Sequence, residues 1–146
     1  MHKVLFVCTA NIFRSRFSEE VYNHLANKIG LSSQAFSAGL EVGNYVTRKI
    51  YSPALEQLQL LNIVPKRRDE LSIHIDNIDL KIFNRIICLD RDEHQPMVSA
   101  NPKLHNFHFE YWDIIDEPIV PSEISLPKCY KKVEKLIAQN SRKLNS

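Results

Sequence analysis

Hydrophobic positions along the chain switch repeatedly between two periods. After Lys3 the run to Val7 is continuously apolar, the pattern of a strand buried on both faces of a parallel sheet. From Ser15 onward Phe17, Val21, Leu25 and Ile29 recur every four residues as one helix stripe, and Gly30 follows as a C-cap. Residues 35–38 predict a short second strand ending in Ser37-Ala38-Gly39, and residues 40–49, with Gly43-Asn44, a loop. Ser52 reads as an N-cap with Pro53 at the first helical position. The helix it opens runs to about Asn62, with Ala54, Leu55, Leu58 and Leu61 inward.

Beyond a charged connection at residues 66–70, residues 76–83 predict a short helix. Residues 85–90 are a third strand centred on Ile86-Ile87-Cys88-Leu89, and residues 92–99 another short helix. The alternation over residues 107–112 predicts a fourth strand, and residues 113–121 a loop rich in acid and proline. The final helix is expected to start near Pro127, with Leu126, Tyr130, Val133, Leu136 and Ile137 on its core face. Strands alternating with helices imply an α/β fold, a four-stranded parallel sheet flanked by helices in three layers, and one domain over residues 1–146. Ligands of such sheets bind beyond the carboxyl ends of the strands. Cys8 follows strand one, Asp90 ends strand three, and Asp113 and Asp116 follow strand four, so the chemical groups fall on one edge.

The first strand–loop–helix carries the sharpest signal. Cys8 and Arg14 are separated by five residues in Cys8-Thr9-Ala10-Asn11-Ile12-Phe13-Arg14-Ser15. A helix N-terminus presents unpaired N–H groups and partial positive charge, and a curled loop of N–H groups adds donors for an anion. Such a field stabilises a thiolate, the competent cysteine nucleophile. Arg14 supplies a fork matching two phosphate oxygens, and Ser15 a hydroxyl for the sulfur. Asn11 is the loop residue best able to adopt the left-handed conformation a tight ring demands. The loop therefore reads as a phosphate cradle, with Cys8 attacking and Arg14 holding. The alternative is a buried cysteine before an ordinary capped helix.

A cysteine nucleophile needs a proton donor for the leaving oxygen. The loop Trp112-Asp113-Ile114-Ile115-Asp116-Glu117-Pro118 offers three carboxylates. Cys88 reads as a core cysteine and Cys129, near the start of the last helix, as helix packing or partly exposed, while His94, His105 and His108 read as surface. Lys66-Arg67-Arg68 reads as a solvated connection or as steering for a phosphate-bearing substrate, and Tyr45 and Tyr51 as one wall of a pocket or an exposed turn.

Composition narrows the partners. A net charge of +2, with no basic run longer than residues 66–68, gives no case for nucleic acid. No apolar run reaches membrane-spanning length. Three cysteines cannot all pair and show no metal-ligand spacing; with a start directly on a strand and no signal peptide, a cytoplasmic location is expected. All three glycines lie in the first third, which leaves no glycine-rich nucleotide fingerprint.

The phosphate-loop segment from Val4 to Ser15 resembles that of the low-molecular-weight protein tyrosine phosphatases. Ser37-Ala38-Gly39, Ile86-Ile87-Cys88-Leu89-Asp90 and the segment from Trp112 to Pro118 are similar to its later landmarks, in order. The resemblance implies a flavodoxin-like fold and a phosphocysteine mechanism without metal or organic cofactor. It implies Cys8 as nucleophile, Arg14 as phosphate ligand and Asp116 as general acid. Thr9, Ala10, Asn11, Ile12, Phe13 and Ser15 would contact substrate, and Asn11, Ser15, Ser37 and Asp90 would shape the loop. The substrate would be a phosphorylated protein or a small phosphate ester, and the enzyme a monomer or weak dimer.

The chain departs from the family pattern at several positions. Ala10 stands where glycine is common and Phe13 where a second cysteine is frequent, which rules out a disulfide inside the loop. Arg16 replaces proline, a common histidine is replaced near Arg67, and Glu117 separates Asp116 from Pro118, leaving Asp113 as the alternative acid. A related fold, the thioredoxin-coupled arsenate reductase, needs two further cysteines; Cys88 stands where the first would be, but Gln95 follows seven residues on. Phosphate carriers of sugar transport lack the arginine and the acid loop. A non-catalytic phosphate-binding module is the remaining alternative.

Overall fold

The computed structural model describes residues 1–43 and 47–145. Its sheet is built from β1 (His2–Cys8), β2 (Ser33–Gly39), β3 (Arg85–Cys88) and β4 (Glu110–Tyr111). Four α-helices connect and flank them: α1 (Arg14–Lys28), α2 (Ser52–Leu60), α3 (Arg91–Ser99) and α4 (Ser122–Leu144). The strand order is β2-β1-β3-β4 and every pairing is parallel.

The apolar run at the start of β1 explains its central place. Val4, Leu5, Phe6 and Val7 all have zero exposure, because successive side chains enter opposite layers. Val4 and Phe6 pack with Phe17, Val21 and Tyr22 of α1 and with Val133 and Leu136 of α4. Leu5 and Val7 pack with Ile86, Cys88, Val98, Leu104 and Phe109 on the other face. The chain leaves β1 for β2 on one side and returns to β3 on the other. The end of β1 at Cys8 is therefore the point where strand order reverses, the expected ligand crevice.

Several expected boundaries move. Ile29 is exposed rather than part of the α1 stripe. Steps of four advance about 40° per step on a helix of 3.6 residues per turn, so the stripe drifts off the core and Tyr22 and Ala26 take the buried positions. Ser52 lies inside α2 and Tyr51 is its N-cap, because the Tyr51 N–H donates to the Ile12 carbonyl (2.7 Å) and ties the helix start to the phosphate loop. The helix expected over residues 76–83 is two separate 3-10 turns, Ile75–Asn77 and Leu80–Ile82. Only Ile87 and Cys88 of β3 find partners in β4, which shortens that strand to two residues.

The last helix begins five residues before the proline expected to open it. Ser122 is its first residue and Pro127 lies within it. An interior proline removes one backbone hydrogen bond and costs about 3 kcal/mol. The buried face of Leu126, Cys129, Val133, Leu136 and Ile137 offsets that, at roughly 1.5–3 kcal/mol for each large side chain. Among the described residues no helix is long and apolar enough to cross a membrane.

Candidate active site

The loop from Cys8 to Phe13 leaves β1 and turns directly into α1. Asn11 takes the left-handed conformation, φ 57°, so Ala10 has no need of a glycine's freedom. No side chain caps α1, which leaves its first N–H groups without a side-chain acceptor beside the loop. The end of β2 closes on the same loop: Leu40 N–H donates to the Cys8 carbonyl (2.9 Å) and Glu41 N–H to that of Thr9 (2.8 Å). Gly39 makes this approach possible. A Cβ there would stand 2.8 Å from the Thr9 carbonyl oxygen and 3.1 Å from the Ala10 carbonyl carbon.

A chain of hydrogen bonds runs inward from the thiol. Cys8 Sγ is 2.9 Å from Ser15 Oγ, and both residues are buried. Asn11 Oδ1 accepts from Ile73 N–H (2.9 Å), which fixes the orientation of the amide. Its Nδ2 then donates to Ser15 Oγ (2.8 Å) and to Ser37 Oγ (2.9 Å). Ser37 donates in turn to Glu19 Oε1 (2.6 Å), and Arg67 Nη1 donates to both oxygens of that carboxylate at 2.7 Å. Burial pushes the Glu19 carboxyl up, against the pull of Arg67 and Ser37. Arg67 is thus an ion-pair partner rather than a solvated link, and Arg16, buried, donates to its carbonyl (2.6 Å).

Cys8 and Arg14 form the floor of a cleft of about 280 Å³, with Thr9 and Ala10 beside them. Ile12, Phe13 and Tyr51 make its apolar wall, where the rings of Phe13 and Tyr51 meet edge to face at 5.5 Å. Asp116 and Glu117 close the rim. Arg14 is 2 % exposed: Nη1 donates to the Ile114 carbonyl (3.0 Å), Nη2 to Glu93 (2.8 Å), and Nε has no partner among the described residues. Asp116 Oδ2 lies 3.3 Å from Nη2.

The two candidate acids sit in opposite surroundings. Burial pushes the Asp116 carboxyl up despite Arg14. Asp113 faces outward between Lys128 (3.0 Å) and Lys132 (3.2 Å), and the hydrogen bond from Lys128 pulls its carboxyl down.

Of the residues read from the sequence, Cys8, Thr9, Ala10, Ile12, Phe13, Arg14 and Asp116 meet around the cleft, and Asn11, Ser15 and Ser37 meet beneath it. Tyr51 joins the wall, whereas Tyr45 lies outside the described residues. Asp90 stands at the edge of the site, but its carboxyl makes no hydrogen bond to the loop among the described residues. Its backbone N–H donates to His94 Nδ1 (3.1 Å). His94, expected at the surface, is fully buried, with Nε2 at 3.2 Å from Thr9 Oγ1 and 3.1 Å from Glu93 Oε2.

Glu93 accepts from both Thr9 and Arg14 and was not singled out by any motif. Burial would raise its carboxyl, but His94, Arg14 and Thr9 hold it well below the usual carboxylate range. The signal was its place one helical step from Asp90 at the start of a helix following strand three.

The model of the low molecular weight phosphotyrosine protein phosphatase family matches residues 3–146. No curated protein matches. Among solved structures, YfkJ from Bacillus subtilis is 25 % identical with a TM-score of 0.83, covering 98 % of this chain and 96 % of that one. A low molecular weight protein tyrosine phosphatase from T. tengcongensis is 24 % identical with a TM-score of 0.75, covering 98 % and 99 %. The YwlE arginine phosphatase from Geobacillus stearothermophilus is 20 % identical with a TM-score of 0.71, covering 99 % and 94 %. With a match that leaves out only the first two residues, the chain belongs to the family of low molecular weight phosphotyrosine protein phosphatases.

Proposed function

We propose that the chain is a phosphomonoester phosphatase that hydrolyses phosphotyrosine in proteins through a phosphocysteine intermediate. The carrying observation is Cys8, bonded to Ser15, on the floor of a cleft with Asp116 on its rim beside Arg14. Cys8 Sγ forms a bond to phosphorus as the ester P–O bond breaks. The departing oxygen takes its proton from Asp116, whose burial favours the protonated form. Arg14 offers two phosphoryl oxygens the edge made by Nε and Nη2, and the loop N–H groups hold the developing charge. Water then attacks phosphorus, the Asp116 carboxylate takes its proton, the S–P bond breaks and the thiolate returns with phosphate released.

The wall of Ile12, Phe13 and Tyr51 suits an aromatic leaving group. Cys88 and Gln95 argue against a thiol relay: the Cys88 thiol has zero exposure and burial pushes it up. The test is hydrolysis of para-nitrophenyl phosphate, abolished in Cys8→Ser and inhibited competitively by vanadate. Activity no greater than that of the serine variant, or indifference to vanadate, refutes the reading. One observation favours a second substrate: Asp116 and Glu117 share the rim, a pair of carboxylates suited to a guanidinium. A phosphoarginine peptide cleaved faster than its phosphotyrosine counterpart would establish that alternative.

A further inference from the structure

We propose that Glu93, at the start of α3, is the positioning residue that sets the plane of the Arg14 guanidinium. This rests on the phosphatase reading above. A guanidinium binds phosphate well only when its fork faces the phosphoryl oxygens, and a buried arginine side chain with free rotation about its last bonds has no reason to face them. Here two acceptors fix the plane: the Ile114 carbonyl on Nη1 and the Glu93 carboxylate on Nη2. Nε–H is buried, without a partner among the described residues, and beside Nη2 on the same edge of the fork.

Glu93 lies outside the cleft lining, whereas Asp116 belongs to it. Asp116 Oδ2, 3.3 Å from Nη2, approaches from the cleft side, so Glu93 is assigned the Nη2 hydrogen that points away from the cleft, and a bound oxyanion takes Nε–H and the other Nη2 hydrogen in place of Asp116. The carboxylate is itself held in place. Thr9 Oγ1 donates to it, and His94 Nε2 lies 3.1 Å away. The backbone N–H of Asp90 donates to His94 Nδ1, so in the neutral ring the hydrogen sits on Nε2, facing Glu93 and Thr9. Asp90 is thus hydrogen-bonded toward the arginine through its backbone, His94 and Glu93, while its carboxyl acts on Arg14 only as a charge through space.

The experiment compares Glu93→Ala, Glu93→Gln and Arg14→Lys, with melting curves to establish folding. Kinetics on para-nitrophenyl phosphate and vanadate inhibition report phosphate binding. The rate of Cys8 alkylation by iodoacetate divided by that by iodoacetamide reports an oriented anion site without any turnover. Misplacing a binding group by about 1 Å can cost on the order of 100-fold. Glu93→Ala is therefore expected to lower kcat/KM by that order, weaken vanadate comparably and lower the alkylation ratio. Glu93→Gln, which retains an acceptor, should fall between the alanine variant and wild type. Combined with Arg14→Lys, Glu93→Ala should add no further loss, because a lysine ammonium has no plane to orient.

Unchanged or raised kcat/KM in both Glu93 variants overturns the proposal, the latter marking Glu93 as an electrostatic brake on phosphate. So does a full additional loss in the Arg14→Lys background. Absence of ester hydrolysis by the wild type defeats the phosphatase reading instead. In that event the alkylation ratios alone decide whether Glu93 orients Arg14: equal ratios in wild type and Glu93→Ala refute the proposal.

Discussion

Removing Arg67 tests whether the network beneath the nucleophile depends on a surface-reaching cation. Glu19 is 1 % exposed and ion-paired with Arg67, itself 27 % exposed, with the positive charge of buried Arg16 also attracting it. Truncating one member of a buried ion pair costs about 3–5 kcal/mol; partial exposure of Arg67 and the residual attraction of Arg16 put this case near about 3 kcal/mol. At about 2–4 °C per kcal/mol for a chain near 150 residues, Arg67→Ala should lower Tm by roughly 6–12 °C at pH 7.5. The pH dependence has a definite sign. Burial already raises the Glu19 carboxyl, and losing Arg67 removes its main downward pull. The folded state then binds a proton more tightly than the unfolded chain, so stability falls as pH rises through that window. The deficit should therefore shrink at pH 5, where Glu19 of the variant takes up a proton. Adding Glu19→Gln to Arg67→Ala should restore most of the loss at pH 7.5. Arg67→Lys should retain much of it, because a single nitrogen, Nη1, makes both contacts. Thermal melts and urea unfolding at the two pH values decide. A loss below about 1 kcal/mol, the range of exposed pairs, or one independent of pH and not recovered by Glu19→Gln, refutes the reasoning.

Two further outcomes follow from the site. Asp116→Asn should slow hydrolysis of esters with poor leaving groups by roughly 10²–10⁴-fold, against a few-fold for Asp113→Asn, and the opposite ranking moves the acid to Asp113. The acid must carry a proton, so the wild-type rate should fall on the alkaline side of a carboxyl raised by burial, and pH–rate profiles of Asp116→Asn should lack that limb. Gly39→Ala forces a Cβ against the backbone of Thr9 and Ala10 and should cost about 1–3 kcal/mol, read by urea unfolding, with a parallel loss of kcat/KM. An alanine variant as stable and active as wild type removes the claim that this glycine seats the loop.

What the chain showed without its structure was local. The phosphate loop is contiguous, and each role in it follows from a residue's own chemistry, so Cys8, Asn11, Arg14 and Ser15 were legible together. The central strands β1 and β3 were legible because burial on both faces writes an unbroken apolar run, as at Val4 to Val7, whereas the alternation over residues 107–112 overstated the two-residue edge strand β4. Helix starts failed where tertiary contacts outweigh terminal signals. Tyr51 is tied to Ile12, and the apolar face of α4 carries Pro127 inside the helix. Polar partners far apart in sequence left no mark: Glu19 with Arg67, Glu93 with Arg14, and His94 with Thr9 are joined only by the parallel sheet and its crossovers. A glutamate on an amphipathic helix and an arginine in a charged run both read as solvated until the fold brings them together.

The departures from the family pattern acquire reasons in the same terms. Ala10 is compatible because Asn11 supplies the left-handed residue. Phe13 meets Tyr51 edge to face, extending the apolar wall where a thiol is frequent. Arg67, near where the family often carries a histidine, gives Glu19 a cation that does not titrate and so favours its carboxylate form. With Glu19 ionised, the hydrogen bonds running inward from it take a direction. A carboxylate can only accept, so Ser37 directs its hydrogen to Glu19 and its lone pair to Asn11. Asn11, with Oδ1 engaged by Ile73, donates both Nδ2 hydrogens, one to Ser37 and one to Ser15. Ser15 Oγ, accepting from Asn11, has its own hydrogen available for the Cys8 sulfur. A thiolate can only accept, and the Ser15 hydroxyl 2.9 Å away can meet that need, so the chain suits the nucleophilic form of the sulfur. The ordering rests on an ionised Glu19, which Arg67 favours against the burial that raises its carboxyl.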